Sequence, residues 1–234
     1  WELADDGAGT IVKGSKKIVW GHKAAIIGLP TQGVPLDAAA VVDGATYDGN
    51  TFLPHMEILF DHLPEVFPWI DTVLYDSACD DQKLRDDFME LFGIVLKTSV
   101  NPRRKKTFTS ERLPKGMKTL TPYGSLICKA GVKMEYQGQR TRAEKYIYQA
   151  PMDENGESVC AACPHKSTCC PNSKGSRVVT IEFDMLSHID SCDPPMAKRF
   201  EMIMKKRPSV ERMIKRLKCD LSDDRLKKRG NSSF

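Results

Sequence analysis

Two carboxylates and a knot of thiols are the residues of this sequence whose type and setting suit chemistry. Asp76 follows the apolar run Val73-Leu74-Tyr75. A carboxylate at the C-terminal end of a buried strand stands where α/β sheets hold their ligands. The plainer alternative is a capping Asp. Glu211 sits in Arg207-Pro208-Ser209-Val210-Glu211-Arg212-Met213. Helical spacing puts it at the margin of an apolar stripe formed by Val210, Met213, Ile214 and Leu217. Its plainer alternative is a surface Glu paired with Lys215. Carboxylates are the hard oxygen donors that Mg2+ or Mn2+ takes. Two such ions ~3.5–4 Å apart activate the attacking oxygen and stabilise the leaving one in displacements at phosphorus.

The chain has eight cysteines. Cys160, Cys163, Cys169 and Cys170 crowd one stretch. No secretory signal is seen, so thiols or a metal are expected rather than disulfides. Cys160-Ala161-Ala162-Cys163-Pro164 resembles a zinc knuckle, one half of a structural Zn2+ site. Cys169 with Cys128 would supply the other half, with His165 and Cys170 as alternates. The competing reading is reduced cysteines in a loop.

The elements that must position these residues follow from pattern. Residues 16–28 and 34–42 read as strands of a hairpin turning at Gly33. Residues 51–63 carry Phe52, Met56, Leu59, Phe60 and Leu63 at helical spacing. Residues 70–75 are a short buried strand. Residues 80–92 are an amphipathic helix burying Leu84, Phe88, Leu91 and Phe92, and Gly93 ends it. Residues 94–100 are a strand. This alternation implies α/β architecture with parallel pairing. Residues 101–176 are rich in Pro, Gly, Lys, Arg and Cys and read as an insertion. Within it, 125–128 and 132–136 are short strands, and metal binding would help so apolar-poor a segment to fold. Residues 177–183 are a strand again, rejoining the core. Residues 198–218 are helical, with Pro208 starting or kinking a segment.

The chain of 234 residues is 41% hydrophobic and 28% charged, the balance of a protein with a real core. Its first residues are polar and acidic, and no apolar run is long enough for a membrane span. The net charge of +4 is modest, but Lys and Arg crowd 101–106, 198–218 and 225–229. Such clusters suit a polyanion. Arg207, Arg212, Lys215, Arg216 and Lys218 surround Glu211, and Arg103 and Arg104 open the insertion. All seven are candidate DNA contacts.

The stretches KKIVWGHKAAIIG, VVDGATYDGN, VLYDSACDD and KKRPSVERMIKRLK together resemble DDE-type transposases of bacterial insertion sequences. The likeness touches most of the chain and is most specific around Asp76 and Glu211. It carries Gly21-His22-Lys23 and the turn Tyr47-Asp48-Gly49-Asn50 as further family-like features. It implies a ribonuclease H-like mixed sheet flanked by helices, with a Cys-containing insertion. Asp76 and Glu211 would be two of three catalytic, Mg2+-binding acids. Double-stranded DNA, both transposon ends and target, would be the substrate, cleaved and joined by a homodimer. The setting would be the bacterial cytoplasm, at the nucleoid. The family's first Asp lies on the first strand. Only two strands are read before the first helix, so that acid is expected upstream of Trp1, with Asp5 or Asp6 as rivals. The absence of a starting Met agrees with a fragment. The alternatives are a non-catalytic, zinc-stabilised DNA-binding remnant and a nuclease that cleaves without joining.

Overall fold

The computed structural model describes residues 8–13, 17–101, 103, 106–172 and 175–220. Asp5, Asp6 and Arg104 lie outside the described residues, as does the side chain of Lys218. The chain is a mixed α/β protein with several small sheets, divided into two compact units. One comprises Trp1–Thr98 with Met204–Phe234 and the other Ser99–Ile203.

The first unit opens with an antiparallel meander of β1 (Gly9–Lys13), β2 (Lys17–Leu29) and β3 (Val34–Asp43). Gly33 closes the β2–β3 turn at φ +65°, a conformation glycine adopts without steric cost. Among the described residues three strands, not two, therefore precede the first helix. The extra one is β1, a five-residue strand that carries no Asp. The shortfall of one strand, on which the expectation of an upstream acid rested, is not found.

Helix α1 (Asp48–His62) buries Phe52, Met56 and Leu59. Strand β4 (Thr72–Tyr75) pairs in parallel with β5 (Val95–Thr98). Between them runs α2 (Gln82–Phe92), which begins where the Asp81 side chain accepts the Leu84 N–H. It ends at Gly93, which is left-handed at φ +66°. Its buried positions are Leu84 and Phe88, with Phe92 partly covered. Leu91, expected on the buried face, is 57% exposed. Phe52 stacks on Phe88 at 5.1 Å between ring centroids, and Ile27 and Leu36 of the meander cover the same core.

The second unit is built from short strands. β6 (Phe108–Thr109), β7 (Met117–Leu120) and β8 (Leu126–Cys128) form one antiparallel sheet. β9 (Glu135–Arg140), β10 (Lys145–Gln149) and, beyond the single-turn helix α3 (Lys166–Cys169), β11 (Val178–Glu182) form another, in the order β11-β10-β9. β11 was expected to rejoin the first unit; it pairs with β10 instead. Nor is this region short of a core. Met117, Leu120, Leu126, Met134, Tyr146, Tyr148 and Ile181 are buried together. Helix α4 (Lys198–Met204) follows.

Helix α5 (Pro208–Asp220) belongs to the first unit, and Pro208 opens it. Proline suits a first helical position because its missing N–H would find no partner there. Met213, 3% exposed, holds α5 to β2. A Cβ placed on Gly28 would lie 2.6 Å from the Met213 methyl, so the helix packs where β2 has no side chain.

Candidate functional site

Asp76 leaves the C-terminal end of β4 in extended conformation. Its Oδ1 accepts the Ala78 N–H at 2.7 Å, capping a single 3-10 turn at Ser77–Cys79. The capping role and the strand-end placement are thus both present. The turn is also gripped from the other side. The Tyr47 hydroxyl donates to the Ala78 carbonyl at 2.5 Å. Tyr47 immediately precedes α1, so the β3–α1 connection is tied to the residues that follow Asp76.

That connection is itself fixed by Lys23 of β2. Its Nζ donates to the Thr46 carbonyl at 2.7 Å and to Asp48 Oδ1 at 2.9 Å. Asp48 stands in the first turn of α1, where a carboxylate is favoured by the helix dipole. The Tyr75 hydroxyl reports how these groups converge. Its pKa is raised, first by burial and then by the negative charge of Cys79, Asp48 and Asp76. Asp48 and Asp76 therefore bear on one buried phenol. Lys23 and Asp48 entered the sequence reading only as parts of family-like strings. Nothing in their spacing shows that a strand lysine would pair with a helix-start acid across 25 positions.

Deeper in the same unit, Asp80 is buried and paired with Arg85 at 2.9 Å. Arg85 also reaches Thr98 Oγ1 at the end of β5. This pair braces the segment between Asp76 and α2.

Glu211 lies in the same unit, on the exposed side of α5. Its partner is Arg207 at i−4, Nη2 to Oε1 3.0 Å, rather than Lys215. The pair is exposed enough that its worth is about 0.3–0.5 kcal/mol. A bond of that size does not hold Glu211 against a stronger ligand. Arg212, Lys215 and Arg216 are exposed along α5, and Arg103 is exposed in the second unit.

The cysteines are all in the free thiol form. Cys128, Cys160, Cys163, Cys169 and Cys170 line one cavity of about 220 Å³ in the second unit, together with His165 and Arg177. Cys163 turns back on Cys160, its N–H donating to the Cys160 carbonyl at 3.4 Å. Burial pushes the Cys169 thiol up; Arg177 draws it down, and Cys170 and Cys160 push it up. Arg177 donates to the carbonyls of Cys169 and Lys115, clamping α3 to the loop before β7.

Among the described residues, no three His, Cys, Asp or Glu side chains are gathered closely enough to hold a metal ion. Asp76 and Glu211 share a unit but are not joined there by a third acid. No helix among the described residues is long and apolar enough to cross a membrane. No protein-family model, no curated protein and no solved structure matches the chain.

Proposed function

We propose that the first unit is the catalytic region of a DDE-type transposase that cleaves and joins DNA strands at the ends of an insertion sequence. The observation that carries this reading is the company Asp76 keeps. It stands at the end of a parallel strand, accepts the Ala78 N–H in a turn whose Ala78 carbonyl Tyr47 grips, and belongs to the same compact unit as Glu211 on α5. The element order of that unit also supports it. Strand, strand, strand, helix, strand, helix, strand is the order of a ribonuclease H-like domain.

The donor chemistry fits Mg2+ or Mn2+. Both acids offer hard carboxylate oxygens, and Mg2+ takes one or two carboxylates and completes its shell with water. Asp76 is oriented by a backbone N–H, and Glu211 is held only by an exposed arginine. When bound, the ions would polarise the phosphodiester and lower the pKa of the attacking hydroxyl or water. The chain's own residues do the rest. Lys23 keeps Asp48 from adding uncompensated negative charge beside Asp76. Arg212, Lys215 and Arg216 offer cations to a phosphate backbone passing along α5, which makes binding steeply salt-dependent.

The test is strand transfer of a 3′-hydroxyl DNA end into a supercoiled plasmid with Mg2+. The donor ends are taken from the DNA flanking the gene. Asp76→Asn and Glu211→Gln should each lower transfer by roughly a thousandfold, the scale of removing a group that acts in the transition state. DNA binding should remain. Variants that transfer as well as the parent would sink the reading and leave a DNA-binding module without catalysis.

A further inference from the structure

The second unit has a site of its own, and its chemistry differs from that of the acids. Three observations define it. Five thiols from three separate chain segments face one cavity. The Lys166 N–H donates to the Cys163 carbonyl at 3.0 Å, so α3 with Cys169 follows directly on the knuckle. Cys128, far off in sequence, is brought in by the backbone. The Lys129 N–H donates to the Gly116 carbonyl at 2.9 Å, and Met117 is paired with Cys128 across β7 and β8. A Cβ on Gly116 would collide with Cys169 Sγ, so Cys169 lies against the residue before β7, whose first residue, Met117, pairs with Cys128 of β8. Gly116 is left-handed at φ +85°, which suits the glycine that this close approach requires.

The geometry points to a structural zinc site in this cavity, with Cys128, Cys160, Cys163 and Cys169 as four thiolate ligands and Cys170 outside the set. Cys160 and Cys163 form one pair two residues apart, the spacing of a zinc knuckle. Cys128 and Cys169 form the second pair, joined through space at Gly116. Cys170 lies just beyond the last residue of α3, and its side chain hydrogen-bonds to that of Cys169, so it stands beside the set as the neighbour of one ligand. Binding displaces one proton from each of the four thiols to solvent, because the metal takes thiolates. The product carries two net negative charges. Arg177, Lys129 and Lys166 around the cavity are placed to balance them. Among the described residues the sulfurs are not gathered to one point. Zinc would draw them together and lock the turns between Ala150 and Arg177, where the described residues hold only α3 and one isolated bridge, Met152 to Ser158.

This inference does not rest on the transposase reading and survives if Asp76→Asn changes nothing. The experiment uses the full chain purified without chelator. Stoichiometric zinc is expected, and replacement by Co2+ should give intense sulfur-to-cobalt charge-transfer absorption with tetrahedral ligand-field bands. Cys170→Ser should keep both, and Cys128→Ser should lose the four-thiolate spectrum. In case Cys128→Ser fails to fold, the parent protein provides a second measurement. Alkylation of Cys128, Cys160, Cys163 and Cys169 should be roughly tenfold or more slower with zinc than after chelation, since bound thiolates are withheld. Exposed Cys192 should react equally in both. Parent protein with zinc well below stoichiometric, or alkylation indifferent to chelation, would overturn the site. So would loss of the cobalt spectrum on Cys170→Ser but not on Cys128→Ser.

Discussion

The two units set their reactive side chains by opposite means. In the first, regular elements do the positioning. Asp76 is where it is because β4 ends there, and Glu211 because α5 begins three residues earlier. In the second, the reactive thiols lie mostly on turns, and a cavity rather than an element collects them. Acids on a frame are placed before any ion arrives. Thiols on turns would need the proposed zinc to finish the frame. The contrast predicts that the first unit's stability follows its apolar core and the second unit's the proposed zinc and its buried tyrosines.

The largest effect should come from the centre of the first core. Phe88 is fully buried, stacked on Phe52 and edge-on to Phe92 at 5.1 Å. Phe88→Ala should cost about 3–5 kcal/mol through lost burial and the cavity left behind. Urea unfolding followed by hydrogen exchange would show protection lost in α1, α2 and β5. Protection in β9, β10 and β11 should persist. Equal loss in both sets of strands would break the division into two independently stabilised units.

Alkali should invert the comparison. Tyr136, Tyr146 and Tyr148 in the second unit and Tyr75 in the first all have pKa values pushed up, by burial first and by neighbouring ionisable groups after it. The unfolded phenol ionises near 10. A raised native pKa means that the native state retains protons which the unfolded state releases. The stability these groups contribute is therefore intact below about pH 10 and falls as pH rises beyond it. Each tyrosine adds a slope of about 1.4 kcal/mol per pH unit in that window. Three such residues against one should make the second unit fail first as pH climbs, by unit-resolved hydrogen exchange. Parallel loss in both would count against it.

The first unit was the more legible from sequence, and the reason is length. The helices and the β2–β3 hairpin run for ten residues or more, long enough for periodicity to repeat, and Asp81 and Gly93 punctuate α2 at both ends. β1 was missed because five residues between Gly- and Lys-rich stretches carry too little pattern. The second unit hid for a different cause. Its strands run from two to six residues, and its largest buried side chains are tyrosines, whose hydroxyls make a strand such as Lys-Tyr-Ile-Tyr-Gln look amphipathic rather than central. The Tyr148 hydroxyl is satisfied by the Gly124 carbonyl, a partner 24 positions away that no local pattern announces. At the site the same rule holds. Asp76 was readable as a strand end, but the Tyr47 and Lys23 ties to its surroundings are long-range.

A smaller effect sharpens the comparison at the Asp76 segment. Asp81→Ala removes the side chain that accepts the Leu84 N–H at 3.2 Å. The loss should be about 1 kcal/mol, the usual cost of an N-cap. Because the Asp80–Arg85 pair still holds the first turn of α2, Asp76 should stay in place and strand transfer should change little at temperatures well below unfolding. A loss of transfer as deep as that of Asp76→Asn would show that the start of α2, rather than the end of β4, sets the acid.

The smallest stability change should be the most informative about α5. Arg207→Ala removes an exposed ion pair, so its effect on unfolding should stay within about 0.5 kcal/mol. Two roles for the arginine then separate. If Arg207 only parks Glu211, the salt dependence of DNA binding is unchanged and the concentration of Mg2+ giving half-maximal transfer falls, because the carboxylate no longer has a competing cation. If Arg207 meets a phosphate, the slope of log K against log salt becomes shallower by about one. The geometry favours the first outcome. With its guanidinium already on Glu211, Arg207 must give up that bond to reach DNA, whereas Arg212 and Lys215 are exposed along the helix. Removing Arg212 should therefore change the salt slope more than removing Arg207, and the reverse ranking would move the DNA path to the start of α5.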